Sequence, residues 1–182
     1  HALVWTLLGR SAAALQAGDL ELALVSAQEA VDLNKDLDEG FHSAEAAVDL
    51  ARALLETGEP GRAVELLIAS AGGEELTLIA GGPRVHGLEL LTRCWLALDR
   101  HAEAERAAVN AEARAAALQL PMAVAWASRA AAAVDLHAGV AARAAERALA
   151  AAAAAEAVPE RSSFYLRARF LLGRSLLEVP RL

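Results

Sequence analysis

Apolar residues recur three and four positions apart along most of the chain, and short polar or glycine-containing breaks interrupt the pattern. Leu20, Ala23, Leu24, Ala27, Ala30 and Val31 are one such series, and that spacing puts an apolar stripe down one side of an α-helix. The pattern predicts helices over residues 3–17, 19–34, 42–57, 60–71, 84–98, 101–118, 121–136, 141–157 and 159–177. Pro121 and Pro159 open two of them, where proline's fixed φ suits a first helical turn. Helices throughout, with no sheet, are expected. The fold class expected is all-α.

The breaks repeat as regularly as the helices. In Ala17-Gly18-Asp19 the glycine can close one helix in the left-handed conformation, and Asp19 can cap the amides that open the next. Gly58-Glu59-Pro60 repeats the device, Asp99-Arg100-His101 repeats it without a glycine, and Gly139 repeats it again. Small residues keep the same period. Ala23, Ala63, Ala104 and Ala144 stand 40, 41 and 40 apart. Ser11, Ala51, Thr92, Ala132 and Gly173 form a second series on the preceding helices, and Ala30, Ser70, Ala111 and Ala151 a third. Three series in one register are the signature of a helical-hairpin repeat. The repeats run over about residues 3–40, 41–83, 84–120, 121–158 and a partial 159–182, taken as one repeat domain, 1–182.

Two connections differ from the tight turns. Residues 34–40 are polar and end in glycine, as a loop does. Residues 72–83 carry glycine pairs on both sides of a short apolar segment. They read either as a flap over a groove or, as we expect, as a connection whose leucines pack between helices.

The repeat resembles the tetratricopeptide motif: a small residue, a large one three on, a glycine turn, then two alanines seven apart. Units of that family usually have 34 residues, so the excess here lies in longer helices and connections. The resemblance implies about four and a half antiparallel helix pairs stacked as a right-handed superhelix. A narrower resemblance lies in Leu88-Glu89-Leu90-Leu91-Thr92-Arg93-Cys94-Trp95-Leu96-Ala97-Leu98 with Ala102-Glu103-Ala104-Glu105, in Ala117-Leu118-Gln119-Leu120-Pro121, and in the stretch from Ala168 to Leu176. These look like the helical region of large ATP-binding LuxR-type transcriptional regulators. That family implies an N-terminal ATPase, a middle superhelix that senses a signal, and a C-terminal helix-turn-helix for DNA. The chain would be the middle part, a non-catalytic signal-sensing or protein-interaction module. ATP would then be expected only in an N-terminal domain outside this sequence, and no cofactor here. The alternative is a scaffold or adaptor module of an unrelated multidomain protein.

Charge narrows the partners. The chain has 24 carboxylates against 17 bases, a net charge of −7, which argues against its coating nucleic acid or an anionic membrane. One cysteine, Cys94, excludes an intramolecular disulfide and a cysteine-cluster metal site. The chain begins at His1 without a basic leader, and its longest bland run, 148–155, is too short to span a bilayer. An internal fragment of a longer cytoplasmic protein is expected.

No sequence constellation points to an enzyme. Phosphate-binding and dinucleotide-binding glycine motifs are missing, as is His-Glu-x-x-His. His101 with Glu105, and His86 with Glu89, share helical faces but have no third ligand nearby in sequence, so no metal site is expected. Cys94 has no base beside it. The remaining candidate is the concave face, which the leading helix of each pair lines in tetratricopeptide arrays. Its inward positions, carried across, include Trp5 and Gln16, then Glu45, Arg52 and Glu56, then His86, Glu89 and Arg93, then Trp126, Arg129 and His137, then Arg167 and Arg174. Of these, Trp5, Arg52, His86, Glu89, Arg93, Trp126, Arg129, Arg167 and Arg174 are the candidate site. Aromatics among arginines suit an acidic peptide, a protein partner or a flat polar inducer. The competing reading is that these residues pair with one another and fill between helices. Arg93, central in the array, is expected to be solvated. The last leading helix lacks a partner, so Leu172 and Leu176 are expected to drive self-association into a homo-oligomer.

Overall fold

The computed structural model describes residues 2–35 and 40–156. The expected fifth leading helix, with Arg167, Leu172 and Arg174, lies outside the described residues. Among those described there are eight helices and no strand: α1 (Ala2–Ala17), α2 (Leu20–Lys35), α3 (Gly40–Glu56), α4 (Pro60–Ala71), α5 (Gly81–Ala97), α6 (His101–Leu118), α7 (Pro121–His137) and α8 (Ala141–Glu156). The all-α expectation holds, with helix ends close to those the apolar pattern gave. The main difference is at α5, which starts at Gly81 because Pro83 can occupy a first turn where no amide donor is needed.

The chain divides into two compact units, His1–Pro83 and Arg84–Leu182. In the first, α1 packs on α2, α2 on α3, α3 on α4, and α1 also meets α3. In the second, α6 packs on α7 and α7 on α8.

The turns explain the period. Asp19 N–H donates to the Ala14 carbonyl (2.9 Å) and Gly18 N–H to the Leu15 carbonyl (3.3 Å), the pair of bonds that closes a helix when its next residue is left-handed. The same pair recurs at Glu59→Leu54 and Gly58→Leu55, at Arg100→Trp95 and Asp99→Leu96, and at Val140→Asp135 and Gly139→Leu136. Four turns therefore share one backbone solution at the repeat spacing. Gly18, Gly58 and Gly139 adopt φ of 79°, 82° and 76°, and Asp99, where the glycine is missing, still adopts 56°. After the first turn, the Asp19 carboxylate accepts the Leu22 amide at 3.0 Å, the cap the sequence suggested.

Past each turn the small series does what its size allows. Ala23, Ala63, Ala104 and Ala144 are all fully buried, where a larger side chain would hold the helices apart. In α8 the buried residues are Ala144, Ala148, Ala151 and Ala155, the three-and-four spacing of a helix that buries one face. The leading helices of the second unit are buried more widely: eleven of seventeen residues in α5 and ten of seventeen in α7. The irregular connection behaves as packing: Leu76 and Ile79 are buried while Leu78 stays exposed.

Candidate functional site

Equivalent positions of α5 and α7 face each other. His86 and Trp126, 40 residues apart, stack with ring centroids 4.7 Å apart and planes 15° from parallel. Glu89 and Arg129, again 40 apart, are bonded: Arg129 Nε donates to Glu89 Oε1 at 2.8 Å, and Arg129 Nη2 lies 2.5 Å from the same oxygen. Helices that match residue i with residue i+40 stand side by side in repeat register, so the period seen in sequence is here a contact. One helical turn beyond Glu89, Arg93 Nε lies 3.8 Å from Glu89 Oε1. One carboxylate oxygen thus serves two guanidinium groups.

The cluster is dry. Glu89 is fully buried, and His86, Trp126 and Arg129 are all below 10 % exposed. Its hydrogen bonding is incomplete: Glu89 Oε2 and Trp126 Nε1 have no hydrogen-bond partner among the described residues. A buried polar atom left in that state costs about 1–3 kcal/mol, and burial of ions is tolerated only with close partners. The cluster carries one negative and two positive charges, and its outer member is Arg93, whose side chain is 17 % exposed.

These positions correct the expectation of an open, solvated row. His86, Glu89, Trp126 and Arg129 pair among themselves, the competing reading of the sequence, because α5 and α7 approach closely enough to enclose them. Arg93 is an ion-pair partner of a buried carboxylate instead of a solvated arginine. Charge reversal there would place two carboxylates together, so Arg93→Glu would disturb folding as well as any binding. In the first unit Trp5 is exposed and Arg52 buried. His137 is exposed at the end of α7, with its ring 4.7 Å from that of His101.

A second buried charge escaped the sequence reading. Asp135 of α7 is 2 % exposed, and it binds Arg143 of α8 through Nε at 2.7 Å. Arg147 Nε lies 3.1 Å from its other oxygen. The hydrogen bond to Asp135, then its charge, raises the Arg143 pKa above its ordinary value. The available signal was an acid and two bases placed eight and twelve residues apart across a glycine turn, which brings them onto facing helices.

In the first unit a shallow groove is lined by Leu24, Val25, Gln28, Glu29, Asp32 and Arg62. It lies on the trailing helices α2 and α4, not the leading ones. No helix among the described residues is long and apolar enough to cross a membrane. Neither the models of known families, nor the curated proteins, nor the solved structures contain a significant match to this chain.

Proposed function

We propose that the chain is a non-catalytic, tetratricopeptide-like interaction module, stacked as a right-handed superhelix, that recognises an anionic group of a protein or small-molecule partner on the leading-helix face of its second unit. The observation that carries this reading is Glu89 Oε1 shared between Arg129 and Arg93. Two guanidinium groups converge on one carboxylate inside a chain of net charge −7. Arg93 stands at the cluster's edge with its side chain 17 % exposed, partly desolvated, so that its contacts are stronger than those of a fully hydrated arginine.

The resemblance to LuxR-type regulators gives the reading a setting: an inducer or partner docks on the repeat region, and ATP and DNA belong to other domains. A parent sequence with a phosphate-binding loop upstream and a helix-turn-helix downstream would support that setting over a scaffold in an unrelated protein. The binding claim is tested by titrating wild type and Arg93→Gln with a fluorescent acidic peptide and a panel of anionic metabolites. Saturable binding that Arg93→Gln weakens, with the circular dichroism spectrum unchanged, supports the reading. Binding indifferent to the substitution moves the site elsewhere, and no binding to any anionic probe removes it.

A further inference from the structure

We infer that Asp99, His101 and His137 form a binding site for a divalent transition-metal ion of the zinc type. The three residues come from three elements: the turn after α5, the first residue of α6 and the last residue of α7. One donor atom from each lies within 4.8 Å of the others, and all three side chains are exposed. The imidazoles of His101 and His137 are already in contact, with centroids 4.7 Å apart. Around a tetrahedral zinc ion with bonds of about 2.0–2.2 Å, donor atoms sit about 3.3 Å apart. Small rotations of exposed side chains close that difference. Two imidazoles and a carboxylate are a borderline donor set suited to zinc, nickel or copper and poorly suited to magnesium.

The backbone holds the carboxylate in place at a penalty. Asp99 occupies the left-handed position that glycine fills in the other three turns, and bonds to Leu96 and from Arg100 to Trp95 fix it there. It also sets a negative charge just past the C-terminus of α5, where the helix dipole favours a cation. His137 ends α7 in the same sense. The neighbouring Arg100 does not crowd the site with charge: its guanidinium lies over Trp95, 5.1 Å from the ring centroid, and bonds Glu103 at 3.0 Å. A metal ion bound there leaves further coordination positions open to water or to a partner's ligand, and it ties the α5–α6 turn to the end of α7.

The site is independent of the cluster around Glu89 and is tested without it. The 182-residue chain, stripped with a chelator, is melted by circular dichroism with zinc chloride or magnesium chloride, and zinc binding is measured by calorimetry. Wild type should bind one zinc ion per chain and gain several degrees in Tm, since a ligand specific to the folded state stabilises it by mass action; magnesium should give no shift. His101→Gln and His137→Gln should keep the wild-type spectrum and lose the zinc response. Asp99→Gly should melt higher than wild type without zinc, yet gain less from zinc. No zinc response in wild type overturns the inference. An equal response in the His101→Gln/His137→Gln double variant also overturns it, because the ion would then sit elsewhere.

Discussion

The two units solve the same backbone problem, and the second encloses two carboxylates bonded to arginines. In the first, Arg10 bonds Glu29 with both side chains about half exposed and Lys35 bonds Asp32 in open solvent, although Arg52 is buried. In the second, Glu89 and Arg129 are enclosed, and Asp135 is buried beneath Arg143 and Arg147. The first unit closes its turns with Gly18 and Gly58, whereas the second opens with Asp99 in the position glycine should hold. A repeat specifies hairpins with little chemistry, so departures from the least costly choice mark where other demands act. In this chain they include Asp99 and the enclosed Glu89 and Asp135 in the second unit, and Leu76 and the buried Arg52 in the first.

The largest test of that contrast breaks one buried pair and one exposed pair. Arg129→Met leaves Glu89 enclosed with only the longer Arg93 contact, and an uncompensated buried charge destabilises by about 3–5 kcal/mol. Arg10→Met removes an exposed pair worth about 0–1 kcal/mol. Urea unfolding of the two variants should therefore give clearly different midpoints. Equal losses would mean that the enclosed pair is hydrated and the two units do not differ. The double variant Glu89→Met/Arg129→Met should recover most of the loss if the penalty lies in the stranded carboxylate.

The next test concerns what the units share. Ala104→Leu inserts a larger side chain into a fully buried position after the turn and should cost about 1–3 kcal/mol by overpacking. Ala63→Leu, its counterpart in the first unit, should cost about the same. Ala153 is exposed, and leucine there should shift stability by less than about 0.5 kcal/mol. A large difference between Ala63 and Ala104 would show that the common period does not carry common packing.

The fold was legible because its determinants are local. A left-handed glycine, a capping aspartate and an alanine five residues after the glycine act within one turn, so residues 17–23 alone foretell a helix end, a helix start and a close crossing. The candidate site was legible only in part. Choosing the leading helices found His86, Glu89, Arg93, Trp126 and Arg129 together, since one period puts equivalent positions side by side. What the sequence did not convey was enclosure, which depends on how closely α5 and α7 approach. Nor did it convey that His101 would meet His137: their 36-residue separation is not the repeat period, so the contact arises from where α6 begins and α7 ends. The missing glycine at Asp99 was visible as an irregularity, but its partners were not.

Asp99→Gly sharpens the contrast at the turns. A non-glycine residue in the left-handed region costs about 1–2 kcal/mol, and glycine loses about 0.5–1 kcal/mol through the greater freedom of the unfolded chain. The difference predicts a gain of about 0.5 kcal/mol in metal-free buffer, read as a higher urea midpoint with an unchanged slope. Gly58→Asp, the reverse exchange in the first unit, should lose a similar amount. A loss on Asp99→Gly would show that the aspartate side chain supports the turn, and the α5–α6 junction would then hold no strain to explain.

The smallest effect is the one expected to be alike in both units. Asp32 in the first has its pKa lowered from 3.8, chiefly by the hydrogen bond from Lys35 and then that from Gln28. Glu103 in the second has its pKa lowered from 4.5, chiefly by its bonds with Arg100. A carboxyl depressed in the folded state binds its proton less readily there than in the unfolded chain. Its contribution is present above the unfolded value and is lost as pH falls through the folded one. Both pairs lie where solvent screens them, so each contribution is small at neutral pH. Asp32→Asn and Glu103→Gln should each lower Tm slightly at pH 7, and the gap to wild type should close in acid, below about pH 4. Melting curves from pH 7 to pH 3 check this. If Glu103→Gln opened a much larger gap than Asp32→Asn, the contrast between the units would extend to their surfaces; equal, shallow gaps confine it to the enclosed charges of α5, α7 and α8.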